Sequence, residues 1–265
     1  MREQVSETLV AVDIGNTKIA LGFFRKRALL GCLRFPSELT AARLERELRK
    51  AVPAERQYFR GCPVAVSSVV PAVNRRAGGV LRRVFGSKPY FIGHKDIPVR
   101  SLYLRPSDAG IDRMLNVLAG FEFFGGPAVV VDAGTAITFS CITAKREFLG
   151  GLILPGMGMA ARALAEHTAK LPLLRVREPE TVIGRSTAEC MNAGIYYGTA
   201  GAVNAILDGL AEKCGKKMRV ILTGGGAHLL MRGIKRDCKC IEDLTLSGIE
   251  LVCRKRGKAF LHFQK

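Results

Sequence analysis

Two short segments of this chain carry the residue types that handle phosphate. Leu9-Val10-Ala11-Val12 is an apolar run closed by Asp13 and followed by Ile14-Gly15-Asn16-Thr17; Ala128-Val129-Val130-Val131 is closed by Asp132 and followed by Ala133-Gly134-Thr135. Glycine after a strand lets the backbone turn sharply and bring N–H groups close to an anion. An Asp at the strand's carboxyl end reaches a metal ion held by phosphate oxygens, and Asn or Thr adds polar contacts. Either segment alone reads as a plain turn, because Asp, Gly, Asn and Thr are turn formers. Two copies 119 residues apart, each ending one apolar run and opening another, point to phosphate binding instead. A third element follows: Val220-Ile221-Leu222-Thr223 feeds Gly224-Gly225-Gly226 and then Ala227-His228-Leu229-Leu230. A glycine triplet between strand and helix admits a flat or anionic group. It lacks the G-K-[ST] ending of a Walker A loop, and no G-x-G-x-x-G is present, so a Rossmann dinucleotide site is not expected.

The elements that must position these loops follow from periodicity. Residues 18–24 read as a strand, Arg25-Lys26-Arg27 as a hairpin turn, and 28–35 as its return. Leu44, Leu48 and Val52 at four-residue spacing predict a helix over 39–52, capped by Thr40 or Ser37. Residues 63–68 and 137–143 read as strands, 108–124 and 157–166 as helices, and the pairs Gly150-Gly151 and Pro155-Gly156 bracket a further strand. The repeated order strand, Asp, x, Gly, Thr, strand implies duplicated α/β halves, drawn at 1–117 and 118–265.

Composition bounds the rest. Lys and Arg number 41 against 23 Asp and Glu, a net charge of +18. That excess allows nucleic-acid or membrane-surface binding, and equally an enzyme with polyanionic substrates. Aromatic residues are scarce, at 7% with no Trp, which argues against stacking platforms for single strands. Much of the charge lies in Lys213 to Lys265, with 13 basic and 4 acidic residues, away from the loops above. No apolar run approaches the ~20 residues that span a bilayer, and the opening residues do not form a secretion signal. A cytoplasmic protein is expected, and the eight cysteines, without a C-x-x-C pair, read as reduced thiols. Cys238-x-Cys240 makes a poor zinc site without a second pair.

Two strand-Asp-x-Gly hairpins with a later strand-Thr-Gly-Gly-Gly-helix resemble the acetate and sugar kinase/heat-shock chaperone/actin superfamily. Within it the chain resembles type III pantothenate kinases. The matching segments are DIGNT (13–17), YLRPSDAGIDR (103–113), DAGTAIT (132–138), GGLILPG (150–156), HTAKLP (167–172), IGRSTAECMNAG (183–194) and LTGGG (222–226), in family order over nearly the whole chain. The chain departs from the family's G-A-D-R at Ile111, and has Ser140 where Asp is frequent.

The resemblance implies two ribonuclease-H-like halves, mixed β-sheets flanked by helices, with an ATP cleft between them. It implies phosphorylation of pantothenate by ATP to 4′-phosphopantothenate, the first step of coenzyme A synthesis. Asp112 is then the general base. Asp13, Ile14, Gly15, Asn16, Thr17, Lys18, Ile19, Ala20 and Thr135 bind ATP with Mg²⁺. Tyr103, Gly110, Ile111, Asp112, Arg113 and Thr187 hold pantothenate, and Asp132 holds a monovalent cation, K⁺ or NH₄⁺. A homodimer is implied, with no membrane or nucleic-acid partner. Two alternatives stand beside this reading: another small-molecule kinase of the superfamily, and a basic regulatory or nucleic-acid-binding protein on an ATPase-type fold.

Overall fold

The computed structural model describes residues 8–52 and 59–257. These residues form two compact units: the first holds those up to Val99, Ser107–Ala119 and those from Thr245 on, and the second holds Arg100–Pro106 and Gly120–Leu244. A single cut at 117/118 assigns the last of these segments to the second half; its tertiary packing, described below, belongs to the first.

In the first unit, β1 (Thr8–Ile14), β2 (Lys18–Arg25) and β3 (Ala28–Pro36) form an antiparallel meander. β4 (Val64–Ser68) pairs parallel to β1, and β5 (Tyr90–Phe91) parallel to β4, giving the order β3-β2-β1-β4-β5. The β2–β3 turn is a two-residue loop with Lys26 and Arg27 both at positive φ, the conformation that matches strand twist in tight hairpins. Val10, Val12 and Ile14 alternate inward to one core with Leu44 and Leu48 of α1 (Ala41–Ala51) and Val73, Ala77, Val80 and Leu81 of α2 (Pro71–Phe85). α1 is capped by Thr40, whose side chain accepts from the Arg43 N–H. α3 (Ile111–Phe124) begins after a short 3₁₀ turn at Pro106–Asp108. α7 (Leu244–Arg256) packs so tightly on α3 that a Cβ on Gly248 would lie 2.5 Å from the Leu115 carbonyl oxygen. Thr245 Oγ1 donates to Asn116 Oδ1 at 2.9 Å, and Arg256 pairs with Asp96 at 2.6 Å. These contacts bind α7 to the first unit.

The second unit repeats the topology. β7 (Ala128–Ala133), β8 (Ala136–Ile142) and β9 (Glu147–Pro155) form the meander, β10 (Arg219–Thr223) runs parallel to β7, and β11 (Cys238–Cys240) parallel to β10. β6 (Arg100–Ser101) adds to the far edge. Read outward from the central strand, this is the same order and direction as the first sheet, the structural counterpart of the repeated motif. β9 runs straight through Gly150 and Gly151 rather than starting beyond them. α4 (Met157–Glu166) follows β9, and one sheet face is covered by Val203, Leu207 and Ala211 of α5 (Thr187–Cys214) with Ala227 and Leu230 of α6 (Ala227–Met231).

Candidate active site

Period-two alternation sets the two motif aspartates. Val10, Val12 and Ile14 face the α1–α2 core, so Asp13 faces the other side of the sheet; Val129, Val131 and Ala133 face the α5–α6 core, so Asp132 does likewise in its own unit. Register completes the equivalence. Asp13 lies beside Ser67 of β4, and Asp132 beside Thr223 of β10. Thr223 Oγ1 donates to the Glu242 carbonyl, whereas the Ser67 hydroxyl is fully buried and has no hydrogen-bond partner. An orphaned buried hydroxyl next to a half-buried carboxylate is what a site completed by a ligand leaves behind.

The loop after Asp13 is a tight link in which the Gly15 N–H donates to the Lys18 carbonyl at 2.9 Å. Asn16, Thr17 and Lys18 are exposed, Ala20 is partly buried, and Ile14 and Ile19 are buried in the core beneath them. The sequence-predicted ATP segment therefore divides into an exposed polar tip and two apolar anchors. Ser37 also belongs here, and not as a helix cap: its Oγ donates to the Gly15 carbonyl at 2.6 Å and its N–H to the Thr17 carbonyl at 3.0 Å.

In the same unit, α3 presents Asp112 in its first turn. Asp112 Oδ1 accepts the Arg113 N–H at 2.8 Å, and a Cβ on Gly110 would stand 2.6 Å from that oxygen. A Cβ at position 110 would therefore displace the carboxylate from its place over the helix start. Burial pushes the Asp112 carboxyl above the ordinary carboxylate range, against the opposing pull of the Arg113 N–H and guanidinium. Ile111 and Arg113 are buried on either side. His94 Nε2 donates to the Ala109 carbonyl at 2.6 Å and fixes the approach to the helix.

In the second unit, the Asp132–Thr135 loop is clasped by glycines. A Cβ on Gly224, at φ +88°, would lie 2.3 Å from Asp132 Oδ1, and one on Gly156 would lie 2.4 Å from the Thr135 carbonyl oxygen. The Gly226 N–H donates to the Ala133 carbonyl at 2.8 Å. The glycine triplet thus lies against the Asp132 loop, a juxtaposition that no local pattern announced. Ser140 is buried on β8. Tyr103 sits in the bend after β6 rather than in a strand, edge-on to Phe148 with centroids 5.0 Å apart. Thr187 is the exposed first residue of α5; the cap is Ser186, whose Oγ accepts the Glu189 N–H.

Sequence comparison decides the family. The family model described as type III pantothenate kinase matches residues 9–209. The chain belongs to the type III pantothenate kinase family. Relatives named type III pantothenate kinase include one from Solibacter usitatus (strain Ellin6076), 37% identical over 92% of this chain and 95% of its own, and one from Moorella thermoacetica (strain ATCC 39073 / JCM 9320), 37% identical over 92% and 98%. Among solved structures, the activator of the 2-hydroxyisocaproyl-CoA dehydratase from Clostridium difficile with bound ADPNP is 12% identical, covering 97% of this chain and 98% of its own, with a TM-score of 0.55. A ROK family glucokinase from Streptomyces griseus in complex with glucose and AMPPNP is 12% identical over 94% and 99%, with a TM-score of 0.53. These two share the fold of this pantothenate kinase family member.

Proposed function

We propose that this chain transfers the γ-phosphoryl group of ATP to the primary hydroxyl of pantothenate, giving 4′-phosphopantothenate in the first step of coenzyme A synthesis, with Asp112 as general base. Family membership supports the reaction class. The observation that carries the assignment of roles is Asp112 itself, a half-buried carboxylate held at a helix start by one N–H, with Gly110 leaving room for its oxygen.

Phosphoryl transfer asks a protein mainly for positioning and charge stabilisation, plus an acceptor for the attacking hydroxyl's proton. The pantothenate hydroxyl donates to Asp112, and its proton passes to that carboxylate as the new O–P bond forms and ADP departs. A raised affinity for protons makes Asp112 a better acceptor than an exposed aspartate. Arg113, with Gly110 and Ile111, Tyr103 and Thr187, holds pantothenate; a guanidinium fork suits a carboxylate by two parallel hydrogen bonds. The 13–20 segment and Thr135 hold ATP.

Asp13 would hold Mg²⁺, with the orphaned Ser67 hydroxyl beside it. A single carboxylate fits a metal that keeps phosphates and waters as its other ligands, and among the described residues no cluster of three His, Cys, Asp or Glu forms a closed metal cage. When bound, Mg²⁺ neutralises phosphate charge. Asp132, pressed against the Gly224 backbone, would hold K⁺ or NH₄⁺.

A homodimer goes with this reading. Leu149, Leu152 and Ile153 of β9, Met159 and Leu164 of α4, and Ile183 are exposed, Ile153 at 63%, and exposed large apolar side chains of this kind favour association. Among the described residues no helix is long and apolar enough to cross a membrane, and all eight cysteines are thiols, which suits a cytoplasmic location. A coupled ATP-consumption assay with Mg²⁺ and K⁺ tests the proposal: turnover is expected with pantothenate and not with sugars or polyphosphate. Absence of pantothenate-dependent turnover would sink it.

A further inference from the structure

The exposed tip of the 13–18 loop is supported from behind by a chain of hydrogen bonds that ends on α2. The carbonyls of Gly15 and Thr17 are both taken by Ser37, one by its hydroxyl and one by its N–H. Ser37 is itself buried, and its own carbonyl accepts from Arg76 Nη2 on the second turn of α2. Arg76 Nε is buried there with no hydrogen-bond partner, so the guanidinium is committed to Ser37 through one arm.

The consequence follows from peptide planarity. In a trans peptide the C=O and the next residue's N–H point in opposite directions. Holding the Gly15 and Thr17 carbonyls toward Ser37 therefore aims the Asn16 and Lys18 N–H groups to the opposite side of the loop. Fixed, convergent N–H groups are what anion binding requires, and a loop free to flip its peptides would lose them. The Arg76 charge also sits behind the loop, where it adds positive potential without competing for the phosphates.

We infer that Arg76 is a positioning residue for ATP: through Ser37 it locks the peptide planes of the 15–18 loop so that their N–H groups receive the phosphates. This inference rests on the reading of that loop as the ATP phosphate site. Nothing in the local sequence signals it, since Ser37 and Arg76 lie 39 residues apart on different elements.

The test is nucleotide binding by calorimetry, with ADP and a non-hydrolysable ATP analogue in Mg²⁺, alongside steady-state kinetics and melting temperature. Arg76→Met, which keeps the stem and removes the donors, is expected to weaken nucleotide binding about tenfold and raise KM for ATP equally, with kcat at saturation and KM for pantothenate changed less than twofold. Arg76→Lys, keeping charge and a donor, is expected to recover most of the affinity. Ser37→Ala, which removes only the Gly15 bond, should weaken nucleotide binding severalfold, and the double variant should lose little more than Arg76→Met alone, because both act on one path. Unchanged nucleotide affinity in a folded Arg76→Met protein overturns the inference, as does an equal loss for both substrates. If Arg76→Met does not fold, Ser37→Ala and Arg76→Lys decide by the same readout. Asp13→Asn separates the two levels: if it leaves nucleotide binding intact, the reading of the loop fails; if it weakens binding while Arg76→Met does not, only the role of Arg76 fails.

Discussion

Asp112 joins two properties that are opposed in a surface aspartate: it is desolvated, which raises its proton affinity, and it is held by an N–H and a guanidinium, which lower it. Desolvation is the larger effect, so the folded protein binds this proton more tightly than the unfolded chain does. Stability then falls as pH rises from the ordinary carboxylate pKa through the raised one, and at neutral pH the charge costs stability. Asp112→Asn, which still offers an oxygen to the Arg113 N–H, should therefore melt no lower than the parent at pH 7. The same variant should lose at least about 10²-fold in kcat, the usual worth of a positioned base, with nucleotide affinity kept. The acidic limb of the parent's pH–rate profile should lie above the ordinary carboxylate range and vanish in the variant. A variant with near-normal turnover would remove Asp112 from the role of base.

At the scale of elements, the site depends on places where a methyl group does not fit. Gly110→Ala pushes a Cβ into the Asp112 carboxylate while leaving the 3₁₀ turn and α3 otherwise compatible. Its expected signature is a kcat reduced about tenfold or more, as for any displaced catalytic group, with a melting temperature within a few degrees of the parent. Gly224→Ala combines a left-handed backbone position with a clash on Asp132, and should cost about 1–3 kcal/mol from backbone strain alone, read by urea unfolding. Gly248→Ala would force α7 off α3, at about 1–3 kcal/mol for overpacking. The strands and the first helix cap were legible because period-two alternation and Thr40 are local signals. The contacts of Ser37 were not: a serine before a helix reads as a cap, and only the return of β3 along β2 brings it to the Gly15 and Thr17 carbonyls.

At the scale of the molecule, the duplication is of topology more than of residues. Both sheets place an aspartate at the carboxyl end of the central strand, but Thr223 is satisfied by a carbonyl where Ser67 is left for something else. The apolar residues exposed on β9 and α4 predict the oligomeric state: sedimentation should show a dimer at micromolar concentration, and Ile153→Asp should shift it to monomer without lowering secondary structure content. Half of the net charge of +18 is carried by Lys213 to Lys265, outside the motif loops, which fits attraction of anionic substrates.

The sequence by itself determined the frame and the chemistry: apolar alternation selects strands, Asp-x-Gly closes them, and the motifs in family order name the reaction class. Those are local or linear properties, written in residue type and spacing. Tertiary structure alone decided that the last helix returns to the first unit, that the glycine triplet presses on Asp132, that Ser67 lies beside Asp13, and that Arg76 reaches the 15–18 loop through Ser37. Each of these joins residues far apart in the chain, and such contacts are set by packing and register, which no single segment encodes.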